Sequence, residues 1–221
     1  MYEFSIAHDT PDRVTEYSSE EQADTNLKTR FFDSVAESWD RMCHYDERKI
    51  RFLLQKLEMQ PGDSVLDVGT GTGVLIPYFR ELNPQGRVVA VDNSAGMIRV
   101  ARQKFGEDSR TRFLILDIEK EPVPERFKHI VLYSVFPHLE HKIQTISRLV
   151  NENLVPGGRL LIAHSDSRSR LNEMHRRKNQ SVCQDMLADV RRQAGDFSGN
   201  GLNVEEAFEN EELYYLLLSG K

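Results

Sequence analysis

The chain has 221 residues, 39% of them hydrophobic, which is enough to wrap one large core, so a single domain is expected. Its formal net charge of -6 has the wrong sign for neutralising phosphate backbones and argues against nucleic acid as the main partner. Cys43 and Cys183 lie far apart and outside any C-x-x-C spacing, which argues against a disulfide framework and a zinc knuckle and fits a reducing compartment.

Residues 1–22 are polar and charged with little periodicity and read as a flexible arm, with Tyr2, Phe4 and Ile6 as its apolar docking points. Residues 23–221 read as the single domain, opening with a helical cover over 23–60. A helix is expected over 24–39, where Leu27, Phe31, Phe32, Val35 and Trp39 recur on one side. A second helix carries Ile50, Phe52, Leu53, Leu54 and Leu57 and stops before the Pro61-Gly62 turn. Strands and helices then alternate: strand 65–68, helix 74–82, strand 87–91, helix 95–105, strands 111–116 and 127–133, helix 137–153, and strand 159–163 after the Pro156-Gly157-Gly158 turn. Helices are expected at 168–178 and 182–194. Arg168, Arg170, Arg176, Arg177, Lys178, Arg191 and Arg192 make this region basic, which reads as a solvated helix face. Two last strands, 202–208 and 213–218, have no helix between them and form a hairpin. The alternation requires right-handed crossovers and a mostly parallel, doubly wound α/β sheet. No apolar run approaches the roughly 18 residues of a membrane span. The N-terminus lacks a basic-then-apolar leader, so a cytoplasmic location is expected.

The densest information lies in Asp67-Val68-Gly69-Thr70-Gly71-Thr72-Gly73. A short buried strand runs into three alternating glycines and then a helix, which is the build of a nucleotide-type ligand site. A dinucleotide fingerprint wants G-x-G-x-x-G, but Val74 stands where its third glycine belongs. Asp92, about 20 positions on at a strand end, suits a ribose in either case. Asp67 discriminates: a carboxylate just before the turn repels a diphosphate and suits a cationic ligand such as S-adenosylmethionine.

Together, Asp67–Gly73, Val91-Asp92-Asn93-Ser94, Leu116-Asp117-Ile118 and Pro156-Gly157-Gly158 resemble the ordered motifs of class I S-adenosylmethionine-dependent methyltransferases. Residues 31–40, Phe-Phe-Asp-Ser-Val-Ala-Glu-Ser-Trp-Asp, are similar to the opening of the ubiquinone/menaquinone methyltransferase-like branch. The resemblance implies a Rossmann-like, seven-stranded, mostly parallel sheet with a C-terminal antiparallel hairpin and helices on both faces. It implies S-adenosylmethionine as cofactor, with Gly69, Gly71 and Gly73 beside the methionine part and Asp67 near its amino group. Asp92 would bind the ribose hydroxyls, Met97 and Ile118 would sandwich the adenine, and Asp117 would accept from its amino group. Thr70, Asn93 and Tyr133 complete the cofactor set. Trp39 and Tyr45 would close the cover over the methionine part or the acceptor, or else simply pack the core.

Residues after the fourth strand face the acceptor in this family: here Tyr133-Ser134-Val135-Phe136-Pro137-His138. There is no Asn/Asp-Pro-Pro-Tyr/Phe motif and no Pro-Cys pair, so a small molecule is expected as acceptor rather than a nucleobase. His138 and His164 are base candidates, and Arg168, Asn172 and His175 fall on one helix face at i, i+4 and i+7. His138, His164, Arg168 and His175 therefore form the candidate catalytic set, with local capping and pairing as the alternative for His164 and Arg168. The three histidines lack recognisable metal-ligand spacing, and no metal is expected. A binding module that keeps the cofactor but has lost chemistry, and an NAD-dependent oxidoreductase, are the other two readings. Self-association as a homodimer stays open.

Overall fold

A computed structural model of the chain describes residues 19–177 and 185–221. Most of the expected arm, Lys178, Cys183 and the start of the helix expected at 182–194 lie outside the described residues. The chain begins with α1 (Ser19–Val35), then a 3-10 turn at Ala36–Ser38, α2 (Trp39–Met42) and α3 (Glu47–Gln55). The alternating part follows: β1 (Val65–Val68), α4 (Ile76–Leu82), β2 (Val88–Asp92), α5 (Ala95–Phe105), β3 (Thr111–Ile115) and β4 (Phe127–Tyr133). It continues with α6 (Lys142–Arg148), β5 (Leu154–His164), α7 (Arg168–Arg177), α8 (Val190–Gly199), β6 (Asn203–Glu209) and β7 (Tyr214–Ser219).

The seven strands lie in the order β3-β2-β1-β4-β5-β7-β6. All contacts among β1 to β5 are parallel, while β7 runs antiparallel to both β5 and β6. A four-residue link between β6 and β7 is too short for a parallel crossover, so the hairpin reverses there. Strand order switches between β1 and β4, which leaves a crevice at the carboxyl edge of the sheet.

Side chains alternate across the sheet and divide the core in two. On one face Val65, Ala90, Val131, Leu161 and Leu217 pack under Leu53 and Leu57, Phe79 and Ile98, from the α3, α4 and α5 side. On the other, Leu66, Val91, Ile130, Ile162 and Leu216 pack under Phe136, Ile146, Val190 and Phe197, from the α6 and α8 side. The parallel strands β1, β2 and β4 are buried on both faces, which is why they read as near-continuous apolar runs.

Three expectations shift. The helix expected over 137–153 is split into a 3-10 turn at Phe136–His138, α6, and a π turn at Leu149–Asn153, because Leu139 is extended between the first two. The fifth strand starts at Leu154 and runs through the Pro-Gly-Gly bend, with Gly157 at φ +66 and a register shift opposite Phe127/His129. The helix expected to end near 194 begins only at Val190, since Asp189 is its N-cap and accepts from the Arg191 and Arg192 amides.

Candidate functional site

The turn after β1 holds Gly69 at φ +69 and Gly71 at φ +55, a left-handed backbone that glycine adopts without strain. A Cβ on Gly69 would stand 2.4 Å from the Val135 side chain, so that glycine lets the turn seat against the loop after β4. A Cβ on Gly73 would lie 2.9 Å from the Phe105 ring of α5. Gly71 differs: no protein atom lies within 4 Å of its missing Cβ. The outer glycines admit protein neighbours, and the middle one faces open space.

Two carboxylates are hydrogen-bonded to that turn. Asp67 is buried in β1 and accepts the Thr70 hydroxyl at 2.7 Å. Burial raises its pKa to about 7, and nearby Asp92 adds to the rise. Asp92 ends β2; one of its oxygens accepts the Gly71 amide and the other the Ser94 amide, each at 2.9 Å. Burial, with Asp33 adding, holds Asp92 above the usual carboxylate range against those two bonds. Each Asp92 oxygen keeps a second lone pair for a hydroxyl of a ligand.

The other residues expected at the cofactor lie as follows. Asn93 sits half-buried between β2 and α5. Asp117 accepts the Glu119 amide at 3.0 Å and pairs with Lys120 at 3.2 Å, so its carboxylate also organises its own turn. Ile118 is buried in the core under α6, whereas Met97 packs with Ala36, Val100, Phe32, Val35 and Trp39. Trp39 thus fastens the cover to α5, with its ring edge-on to Phe32 at 5.6 Å. The Tyr133 hydroxyl is 2.6 Å from Ser165 Oγ, and burial pushes its pKa to about 12. Ser134, at φ +58, turns the chain out of β4 toward His138.

The N-terminal helical segment bonds to this edge through acidic side chains that are not among the expected site residues. Asp33 Oδ1 accepts the Ser94 hydroxyl at 2.6 Å and the Gly96 amide at 2.8 Å, at the start of α5. Glu37 pairs with Arg99. Asp40 Oδ1 accepts the Thr72 hydroxyl, and Asp40 Oδ2 takes Lys104 Nζ at 2.8 Å. The signal was present as acidic residues at 33, 37 and 40, spaced i, i+4 and i+7.

On the other side of the crevice His138 Nδ1 donates to Asp185 Oδ2 at 2.7 Å, and Lys28 Nζ pairs with Asp185 Oδ1 at 3.0 Å. Burial opposes the Asp185 charge, but the His138 bond and Lys28 bring its pKa below the usual range. A carboxylate on Nδ1 fixes the imidazole tautomer and leaves Nε2 as the basic atom. The His175 ring is 5.2 Å from that of His138 and bonds the Asp185 carbonyl oxygen. Asn172 donates to the Leu187 carbonyl oxygen at 2.9 Å and accepts its amide at 2.8 Å. The polar stripe of α7 therefore anchors the segment that carries Asp185. Arg168 makes two hydrogen bonds to Glu209 of β6, at 2.9 and 3.2 Å, a pairing with a distant strand rather than the local one weighed above.

His164 ends β5 fully buried, with neither ring nitrogen hydrogen-bonded; burial, with His138 and His175 adding, lowers its pKa to about 3. Tyr214, its partner in the β5–β7 register, lies 6.0 Å away between ring centroids and also has a buried hydroxyl without a hydrogen bond. Among the described residues no group of three or more His, Cys, Asp or Glu side chains is placed to hold a metal ion. Among the same residues no helix is long and apolar enough to cross a membrane.

A doubly wound sheet with an antiparallel β7, a glycine turn at its switch point and an acid at the tip of β2 defines a Rossmann-like ligand-binding domain. The methyltransferase domain family matches residues 59–219, and the chain belongs to that family, the class I S-adenosylmethionine-dependent methyltransferases. It is 30% identical to the malonyl-[acyl-carrier protein] O-methyltransferase of Anoxybacillus flavithermus, over 71% of this chain and 59% of that protein. It is 33% identical to the ubiquinone/menaquinone biosynthesis C-methyltransferase UbiE of Stutzerimonas stutzeri, over 59% of this chain and 55% of that one. The chain thus spans little more than half the length of these curated relatives. The structure of the N-methyltransferase NodS from Bradyrhizobium japonicum superposes with a TM-score of 0.65 at 18% identity, covering 89% of this chain and 98% of NodS.

Proposed function

We propose that the protein transfers the methyl group of S-adenosylmethionine to a small-molecule acceptor, with His138 as general base oriented by Asp185. The observation that carries this reading is the open space over Gly71 in a turn that Asp67 and Asp92 both hold by hydrogen bonds, at the carboxyl edge of β1 and β2. Two carboxylates around bare backbone suit a ligand bearing an ammonium and a ribose, and they repel a diphosphate. The solved NodS structure holds S-adenosyl-L-homocysteine, which supports the same ligand here. S-adenosylmethionine, when bound, supplies a methyl group on a cationic sulfur that is already a good leaving group.

The chain's own residues then divide the work. Asp92 offers its remaining lone pairs to the ribose hydroxyls, and Asp67 faces the amino group. Met97 and Ile118 flank the adenine from two clusters, and Asp117 accepts from its amino group. Thr70 holds Asp67 in place, while Asn93 and Tyr133 line the edge. His138, its Nδ1–H held by Asp185, takes a proton from the acceptor through Nε2. His164 and Tyr214 present neutral hydrogen-bonding atoms to a polar group of the acceptor, since leaving them unmatched costs about 1–3 kcal/mol each. The relatives' names cover O-, C- and N-methylation, so the acceptor's chemistry rests with these residues rather than with the cofactor side.

Calorimetry with S-adenosylmethionine and S-adenosylhomocysteine tests the first half: both bind, and Asp92→Ala weakens binding by about 100-fold or more. Unchanged affinity in that variant refutes the ribose assignment. Methyl transfer to a panel of phenols, amines and carboxylic acids tests the second. Binding without turnover across the panel selects the non-catalytic module instead.

A further inference from the structure

We infer that Asp40 is a positioning residue that clamps the glycine turn onto the cofactor and thereby sets how fast the cofactor leaves; this rests on the cofactor assignment proposed above. Thr72 lies between Gly71 and Gly73, both in the left-handed region; β1 and β2 hold the turn's first residues through the Gly69 and Thr70 amides, Asp67 and Asp92, whereas the Thr72 side chain is held from the N-terminal segment. Its hydroxyl donates to Asp40 Oδ1, and its carbonyl oxygen accepts Lys104 Nζ at 2.9 Å. Lys104 also reaches Asp40 Oδ2 at 2.8 Å. Three elements, the cover, the turn and α5, are therefore closed into one triangle by charged hydrogen bonds, and Thr72 is buried within it.

The same short stretch of cover is fastened a second time. Asp33 takes the Ser94 hydroxyl and the Gly96 amide, and the Ser94 amide in turn holds Asp92. The cover thus grips both loops that frame the open space over Gly71. A ligand held between Asp67 and Asp92 cannot leave past the turn until the Asp40 triangle opens.

The test uses the full chain and S-adenosylhomocysteine as probe, with stopped-flow fluorescence of Trp39, the chain's one tryptophan, beside the latch. Asp40→Ala is expected to raise the dissociation rate about 10-fold and Thr72→Val somewhat less, and the double variant no more than about twofold beyond Asp40→Ala, because Asp40→Ala already removes the bond that Thr72→Val removes. Asp40→Asn, which still accepts from Thr72 but loses the Lys104 pairing, falls between. Amide exchange at residues 69–73 in the ligand-free protein rises in parallel, with melting temperature changed by only a few degrees. Dissociation rates equal to wild type, or fully additive effects in the double variant, overturn the clamp. If the wild-type chain does not bind the probe, the cofactor assignment fails instead. Amide exchange in the ligand-free variants then decides the clamp alone, and unchanged exchange refutes it.

Discussion

Gly69 and Gly71 share a left-handed backbone but have different neighbours, and the difference is measurable. Ala at 69 meets Val135 and is expected to cost about 3 kcal/mol in urea unfolding, whereas Ala at 71 carries only backbone strain of about 1–2 kcal/mol. Yet Gly71→Ala should lose S-adenosylhomocysteine binding more completely, because its methyl enters space that only a ligand fills. Asp67 gives a second residue-level expectation. With its pKa at about 7, it is largely protonated in the ligand-free protein at pH 6, and an ammonium draws the ionised form. Binding should therefore release protons near pH 6.5, seen as a buffer-dependent heat in calorimetry, and Asp67→Asn should remove most of it. That Gly69, Gly71 and Gly73 form the turn after β1, with Asp67 inside that strand and Asp92 at the end of β2, was legible, because each place follows from the strand–turn–helix pattern.

At the scale of elements, α7 shows where sequence reading stops. The i, i+4, i+7 face of Arg168, Asn172 and His175 was visible, but the side chains are committed to Glu209, Leu187 and Asp185. Asn172→Ala strips both hydrogen bonds from the buried Leu187 backbone and is expected to destabilise the protein by about 2–4 kcal/mol in denaturant unfolding. Because that backbone carries Asp185, the variant should also lose activity more steeply than stability alone accounts for. Start signals were partly readable: Asp46, Ser94 and Asp189 all cap helices with their side chains. The helix expected from 182 overran Asp189 because apolar spacing continued across it, and periodicity cannot register an extended segment that a neighbouring helix holds by side-chain bonds.

Across the whole molecule, the proposed acceptor side draws on distant parts: Lys28 from α1, His138 after β4, Asp185 before α8, and His164 against Tyr214 in the sheet. Asp185→Asn should slow methyl transfer by about 10-fold or more while leaving S-adenosylhomocysteine affinity within about twofold, since it disturbs the base and not the cofactor. His164 also imprints on acid stability. In the folded protein its pKa is about 3 against 6.5 for the free side chain, so below pH 6.5 the unfolded chain takes up a proton that the folded one refuses. Its contribution is therefore lost as pH falls from 6.5 toward 3. Asp67 has the opposite sign, favouring the folded state most at low pH and losing that effect as pH rises from 3.8 to 7. Replacing His164 with Phe should flatten the fall in melting temperature between pH 6.5 and 4.5.

The amino-acid sequence by itself determined the sheet, its parallel core with a closing hairpin, and the glycine turn with its two acids. Those features are written in short-range patterns of apolar runs, glycines and strand-end carboxylates. Only the tertiary structure decided the partners of the polar side chains: that Asp33 bonds Ser94 and Asp40 bonds Thr72, that Asp185 bonds His138, and that His164 and Tyr214 share a burial without hydrogen bonds. Such partnerships join residues tens of positions apart. They depend on which remote segments the hydrophobic core brings together, and local spacing does not carry that information.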